Sequence, residues 1–329
     1  MTAPPRCHQV ADGVWRAAVP LPSSLSSVNA YLLADGGEAY LVDTAFVPGR
    51  SWEHIPQLMR AASVGASQLR GLVLTHTHLD HVGHIRAVED QLGLPGHLHP
   101  DEELTSVWAA PQNRGLFDGW LAEQGVDPAT AARLLTVLDR GPEPLPRHPQ
   151  RVAHGQLLRI GTAVWTVLHT PGHTPGHVCL FRESDGTLLT GDHLLPNDNP
   201  NISVRPGQPY NPLGRYLAAL RMIGELPVQL ALPGHGEPIT DIATLLARRL
   251  DHHERRLADV SALVGEAAQT AFQVALGIKW VHRSKHFSEL DPRHQFLALG
   301  ETLAHLVALE AGGTLKRTRP ANTTLWTHH

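Results

Sequence analysis

The chain has 329 residues, a formal net charge of −4 and 23 histidines. That length can bury a sizeable core, with one large domain and one small one as the expectation; a pI near 6.6 gives no electrostatic footprint for nucleic acid or an anionic membrane. Cys7 and Cys179 read as ordinary thiols of a reducing cytosol, the N-terminus lacks the apolar core of a signal peptide, and no apolar run reaches the ~18 residues that span a bilayer, so a cytoplasmic protein with no membrane partner is expected.

In chain order, residues 13–19, 28–33 and 39–42 are short apolar runs separated by Pro, Ser and Gly clusters, and they predict strands. Residues 52–62 predict a helix, 71–75 a strand, and 82–92 a helix stopped by Gly93 and Pro95. Between the last two stands Thr75-His76-Thr77-His78-Leu79-Asp80-His81. Alternation in an extended segment turns His76 and His78 to one side, and Asp80 and His81 fall where a helix begins. Three imidazoles and a carboxylate at a strand end form a cradle suited to zinc, iron or manganese. His84, one turn further on, reads as a supporting residue, whereas His97 and His99 alternate on a strand-like stretch with no site context. Residues 101–138 have helix-forming composition and predict a helical insertion; Pro142, Pro144, Pro146 and Pro149 then return the chain to strand.

Strands occupy residues 157–190, followed by a helix over 213–226 and a strand from 228. Three further polar residues close apolar runs here: His173 in His-Thr-Pro-Gly-His, Asp192 in Leu-Leu-Thr-Gly-Asp, and His235 in Leu-Pro-Gly-His-Gly. Each has Gly or Pro beside it, which lets the backbone turn sharply. Four strand ends thus offer seven ligands, about the number a two-metal site needs. His177 and His193 read as residues that orient these ligands. The loop over residues 194–212 should border the metals, with Asn201 and Tyr210 as candidates to donate a hydrogen bond to a substrate oxygen.

Beyond residue 243 the pattern changes. Leu246, Leu250, His253, Leu257, Val260 and Val264 fall on one helical stripe. Helices over 271–278 and 296–309 and a hairpin from 312–317 and 323–326 complete the chain. The domain reading is therefore 1–243 and 244–329, with the boundary inside a continuous helix.

The H-x-H-x-D-H segment, with His173, Asp192 and His235 following in that order, resembles the metallo-β-lactamase superfamily over residues 8–240. The resemblance implies an α/β fold, the four-layer αβ/βα sandwich, with two divalent metal ions, zinc by expectation, as cofactors. It implies His76, His78 and His173 as ligands of one ion, Asp80, His81 and His235 as ligands of the other, Asp192 as the bridging carboxylate, and Asp43 as a brace behind the metal loop. Two shared cations make hydroxide available at neutral pH, and Asp80 is the catalytic candidate to orient it and take its proton. An aspartate at position 192 is more like the thioester, lactone and nuclease branches than the true β-lactamases, in which cysteine or serine is common there. The tail resembles the winged-helix-like tail of some superfamily hydrolases and lacks the basic, Asn-rich pattern that glyoxalase II enzymes use for glutathione. A small-molecule acyl thioester or ester is the expected substrate. The alternatives are a lactone and RNA; the last would use Lys316-Arg317-Thr318-Arg319 and Arg283-Ser284-Lys285.

Overall fold

The structure, a computed structural model, describes residues 4–21, 25–104, 113–140, 144–207, 210–280 and 284–329. Residues 105–112 of the expected insertion, Pro142 and Arg283 lie outside the described residues. Two compact units emerge, each assembled from separate stretches of chain. The first comprises residues 1–106, 143–200 and 219–246, and the second residues 107–142, 201–218 and 247–329.

The first unit is built on two sheets. Strands β1 (Arg6–Ala11), β2 (Val14–Pro20), β3 (Ser27–Asp35), β4 (Glu38–Val42), β5 (Leu69–Val73), β6 (Gly96–Leu98) and β7 (Gln150–Arg151) form one, in that spatial order. The early strands pair antiparallel and β4 to β7 run parallel. The change follows from the connections. A hairpin of Gly36 and Gly37 returns β3 to β4 antiparallel, whereas helices α1 (His54–Ala61), α2 (Leu79–Val82) and α3 (Ile85–Leu92) fill crossovers long enough for parallel pairing. The second sheet holds β8 (Leu157–Ile160), β9 (Ala163–His169), β10 (Val178–Arg182), β11 (Thr187–Gly191) and β12 (Leu230–Pro233), ordered β12-β11-β10-β9-β8.

Side-chain alternation sorts each strand of the first sheet between two cores. Val28, Ala30 and Leu32 of β3, Leu41 of β4 and Leu72 of β5 pack with Ile55, Leu58, Ile85 and Val88 of α1 and α3. Tyr31, Leu33, Val42 and Val73 face the opposite way and meet Trp165, Val167, Leu180, Leu189 and Leu232 of the second sheet. Both faces are apolar, so the strands read as nearly continuous hydrophobic runs. Helices on the first sheet, and that sheet against the second, are consistent with the sandwich that the resemblance implies.

The predicted helix over 82–92 differs in one respect: it breaks into α2 and α3 at Gly83 and His84. Gly83 packs on the Phe46 ring so closely that a Cβ there would lie 2.2 Å from Phe46 Cγ. The break keeps α2 as a single turn that presents Asp80 and His81.

The second unit contains α4 (Arg114–Glu123), α5 (Pro128–Leu134), α8 (Ala271–Gly277), α9 (Pro292–Ala311) and the antiparallel hairpin β13 (Leu315–Thr318) and β14 (Leu325–His328), together with parts of α6 (Pro212–Gly224) and α7 (Ile242–Val264). Asp127, Thr270 and Asp291 cap α5, α8 and α9 through bonds from the third helical residue's N–H. Phe117, Trp120 and Phe296 pack their rings together within this unit. No helix among the described residues is long and apolar enough to cross a membrane.

Candidate metal centre

The seven predicted ligands come together at strand ends of the first unit. His76 and His78 follow β5, Asp80 and His81 lie on α2, His173 follows β9, Asp192 follows β11 and His235 follows β12. They form two groups: His76, His78, His173 and Asp192 in one, Asp80, His81 and His235 in the other, each with its ligand atoms mutually within 4.8 Å. Asp192 joins the groups. Its Oδ2 lies 3.5 Å from His173 Nε2 and 3.5 Å from His235 Nε2, and its Oδ1 lies 3.4 Å from His81 Nε2.

Residues behind the ligands set which ring nitrogen faces the centre. His81 Nδ1 is 2.9 Å from Asp43 Oδ2, and His235 Nδ1 is 2.9 Å from the Ser27 carbonyl oxygen. Both acceptors hold the proton on Nδ1, so each Nε2 turns a lone pair inward. Thr75 Oγ1 donates to Asp43 and is therefore free to accept from His76 Nδ1 at 3.0 Å, which frees His76 Nε2 in the same way. Asp43 is 2% exposed and sits at φ 57°, a left-handed conformation that aspartate tolerates. The brace predicted for it is built: it accepts Thr75 N–H at 2.8 Å, Thr75 O–H at 2.7 Å and the His81 ring N–H.

A divalent cation fits this donor set. Lone pairs of His81 Nε2 and His235 Nε2 face each other at 3.3 Å, and His78 Nδ1 lies 2.9 Å from His173 Nε2 and 3.1 Å from His76 Nε2. At His81 and His235, where Nδ1 carries the proton, the facing Nε2 lone pairs repel at that distance unless positive charge lies between them. Asp192 Oδ1 is buried without a hydrogen-bond donor, as expected of an oxygen reserved for a cation. Gly234 leaves the room: a Cβ there would sit 2.5 Å from Asp192 Oδ1 and 2.7 Å from His81 Cε1. The electrostatics agree. Burial alone would raise the Asp80 carboxyl and lower the His235 ring, yet the neighbouring imidazoles hold Asp80 below the usual carboxylate range. Asp192 and Asp80 in turn push His235 up to about 10. The pocket demands positive charge, whether proton or metal.

The loops that carry the ligands are held from behind. Asn29 Nδ2 donates to the Pro233 and Gly236 carbonyls, both at 2.9 Å, and the Tyr31 hydroxyl donates to Pro233 O at 2.6 Å. Arg16, 2% exposed, donates to Gly236 O and pairs with Glu237. His177, predicted as an orienting residue, accepts the Asp192 backbone N–H on Nε2 at 3.1 Å while its Nδ1 meets Thr170 Oγ1. His84 is buried against Phe46 and His54, and burial pushes its ring down to about 4.

Sequence reading missed Glu102. Its carboxylate is fully buried and accepts from Thr77 N–H and Thr77 O–H, each at 2.8 Å, from Gly176 N–H at 2.9 Å and from the Thr174 hydroxyl. Thr77 lies between His76 and His78, and Thr174 follows His173, so one carboxylate ties two metal loops together. Burial pushes its pKa up against the pull of those four donors. No local sequence signal marks the role.

The structure puts the two predicted substrate residues in the second unit. Asn201 donates from Nδ2 to Glu301 Oε2 at 3.4 Å and accepts from Ser203 Oγ. Tyr210 is half-buried, with the Arg215 guanidinium 5.0 Å from its ring centroid. A third histidine group, His99, Asp101 and His169, lies in the first unit, but the two rings stack nearly parallel at 4.0 Å and 12°. Parallel rings share no in-plane point, so this group as arranged does not converge on an ion.

Comparison with known proteins agrees with the geometry. The family model described as the metallo-β-lactamase superfamily matches residues 24–235. A probable metallo-hydrolase of Bacillus subtilis, YqjP, is 28% identical over 298 residues, covering 89% of this chain and 91% of that protein. An atrochrysone carboxyl ACP thioesterase of Aspergillus terreus is 24% identical over 294 residues, covering 88% and 76%. Among solved structures, a β-lactamase domain protein from Burkholderia ambifaria superposes with a TM-score of 0.83 at 28% identity, covering 100% of this chain and 96% of that one. A family model that covers most of the chain, with all seven candidate His and Asp ligands inside the matched span, makes this chain a member of the metallo-β-lactamase superfamily of metal-dependent hydrolases.

Proposed function

We propose that the protein is a binuclear metal-dependent hydrolase of small-molecule acyl thioesters or esters. Two divalent ions, zinc in our reading, would be held by His76, His78 and His173 on one side and Asp80, His81 and His235 on the other, with Asp192 between them. Ions bound there supply Lewis acidity and a water whose pKa falls from 15.7 toward ~7. The chain's own residues do the rest. Asp80 is partly open to solvent, at 37% side-chain exposure, and its Oδ2 lies 3.2 Å from His235 Nε2. A carboxylate held ionised at the mouth of the site can orient the attacking water and accept its proton. Asp192 fixes the spacing of the two ligand groups, and the buried rings of His76 and His81 keep bulk water from behind them.

One observation carries the hydrolytic reading: seven candidate ligands gather in two adjoining groups, and the inward lone pairs of His81, His76 and His235 are set by Asp43, Thr75 and Ser27. The thioester preference is supported by the likeness to an ACP thioesterase and by aspartate at position 192. Asn201 and Tyr210 are assigned to substrate binding, and the C-terminal helices with their two-stranded hairpin to a winged-helix-like domain over 244–329. We place the protein in the cytoplasm. RNA is the weaker alternative, because a net charge of −4 and a pI near 6.6 give no electrostatic footprint for it; a lactone needs the same hydroxide and a different pocket. The test is a parallel assay of metal-loaded protein on acyl-CoA thioesters, acyl-homoserine lactones and single-stranded RNA, with Asp80→Ala as control. Thioester turnover abolished by the substitution is the expected result. RNA cleavage that depends on Asp80, with thioesters untouched, would replace this reading.

A further inference from the structure

The two oxygens of Glu102 divide their donors between two ligand loops. Oε2 accepts Thr77 N–H and Thr77 O–H, each at 2.8 Å, while Oε1 accepts Gly176 N–H at 2.9 Å and the Thr174 hydroxyl. Thr77 separates His76 from His78, and Thr174 follows His173. One oxygen therefore holds the loop of His78 and the other the loop of His173, all within the first unit. A backbone N–H can only donate, so both oxygens must remain acceptors.

The turn that carries Glu102 is shaped around this contact. Pro100–Glu102 follow β6 as one short turn, closed by Asp101 N–H on His99 Nδ1 at 3.2 Å and by Glu102 N–H on His99 O at 3.0 Å. Gly176 permits the approach, since a Cβ there would stand 2.6 Å from Glu102 N and 2.9 Å from Glu102 Cγ. At the start of the same loop the His169 ring stacks on His99 at 4.0 Å, and His169 Nε2 donates to Pro175 O at 2.9 Å. Thr170 N–H closes the loop on His177 O at 2.8 Å. The His99 and His169 rings, which converge on no ion, thus clamp the loop that Glu102 staples.

Asp80, His81 and His235 are braced by other groups. His81 Nδ1 meets Asp43 and His235 Nδ1 meets the Ser27 carbonyl oxygen. Thr44 N–H donates to His81 O at 2.7 Å, and Phe46 N–H donates to Asp80 O at 2.6 Å. None of these braces includes Glu102 or a group bonded to it. Asp43 reaches the other ligand group through Thr75 and His76.

We propose that Glu102 is a positioning residue for one ligand group alone: its two oxygens fix His78 and His173, so it sets the metal affinity of the His76, His78 and His173 group and leaves that of Asp80, His81 and His235 unchanged. That each group holds its own ion rests on the two-ion reading above; the division of the hydrogen bonds does not.

Glu102→Gln in the full-length protein tests it. The amide keeps the size of the carboxylate but turns an NH2 toward one of the two backbone N–H groups, so one loop loses its anchor. Cobalt(II) is the probe: it accepts nitrogen and oxygen ligands, its d–d absorption reports their geometry, and competition with a chromophoric chelator reads its affinity. Two backgrounds separate the groups. Asp80→Ala/His235→Ala keeps His76, His78 and His173, and His78→Ala/His173→Ala keeps the other three. In the first background Glu102→Gln should weaken cobalt binding about tenfold or more, the scale of supporting residues, and shift the d–d bands. In the second background affinity and bands should stay as they were. In the otherwise native protein one of two bound equivalents should weaken. Equal weakening in both backgrounds overturns the proposal, because a general loss of packing would do the same, and so does unchanged affinity in the first. Should a background fail to load, the native protein decides: loss of both equivalents together also overturns it. A native protein that takes up a single equivalent sinks the two-ion reading alone, and the contrast between the backgrounds still settles Glu102.

Discussion

Asp43 accepts hydrogen bonds from Thr75 N–H, Thr75 O–H and His81 Nδ1–H, and through them orients two imidazoles that face the centre. Asp43→Ala should leave His81 free to change tautomer and weaken metal binding ~10–100-fold, the usual scale for such supporting residues. Competition against a chromophoric chelator measures this; unchanged affinity would remove Asp43 from the role. Glu102 offers a second test. Glu102→Ala strips the Thr77 and Gly176 N–H groups of their acceptor in a buried site, at about 1–3 kcal/mol each. Urea unfolding of the metal-free variant should show that loss, and a loss below 1 kcal/mol would mean that water takes the carboxylate's place. Asp43 was legible in the sequence because it ends a strand-like run in a recognisable order. Glu102 was not, because nothing local distinguishes a buried carboxylate from the partly exposed Asp101 and Glu103 beside it.

The strands and their turns deliver the ligands, and their positions follow from local rules. A strand that alternates faces and then meets Gly or Pro must release its last polar residue at the sheet's end. His173, Asp192 and His235 all arrive this way. Gly234 shows how tightly the turns are fitted. Gly234→Ala would drive its Cβ into Asp192 and the His81 ring, so metal content should collapse while the two sheets persist. Elemental analysis together with far-ultraviolet circular dichroism separates those outcomes; a fully metallated Gly234→Ala protein would show that the loop can retreat. Most elements were predicted to within a few residues; β1 was not singled out, and α2 and α3 divide where one helix was expected. Contact between Gly83 and Phe46 forces that division, and residues 37 positions apart in sequence leave no periodic trace of it.

At the scale of the whole molecule, buried histidines tie stability to pH. In the second unit His253 Nδ1 meets His305 Nε2 at 3.3 Å between α7 and α9, with His252, Arg249, Arg256 and Glu301 as the charged or titratable neighbours. Burial pushes His305 down from an ordinary 6.5 to about 3 and lowers His253 strongly as well. A depressed pKa means the unfolded chain binds protons that the folded one refuses. Stability from this pair is therefore full above pH 6.5 and is lost as pH falls toward 3, at about 1.4 kcal/mol per pH unit for each histidine. A His253→Leu/His305→Leu variant should flatten the pH dependence of chemical unfolding between pH 6 and 4. A slope equal to the wild type's would assign the acid sensitivity to the other buried histidines.

The sequence by itself pointed to the two-sheet fold, to seven candidate ligands and to the order in which strand ends and the single turn of α2 present them. Those properties follow from periodicity and turn chemistry, which act over a few residues and leave a mark in every short window of the chain. Only the tertiary structure decided that Glu102 staples two metal loops, that Asn201 bonds Glu301, and that Gln124, Arg317 and Trp326 line one cavity. Those are partnerships between residues distant in sequence, fixed by which polar groups lose water together when the chain folds. The candidate metal centre is thus a local code read along the chain, while the contacts that brace it from behind exist only as a meeting of remote segments.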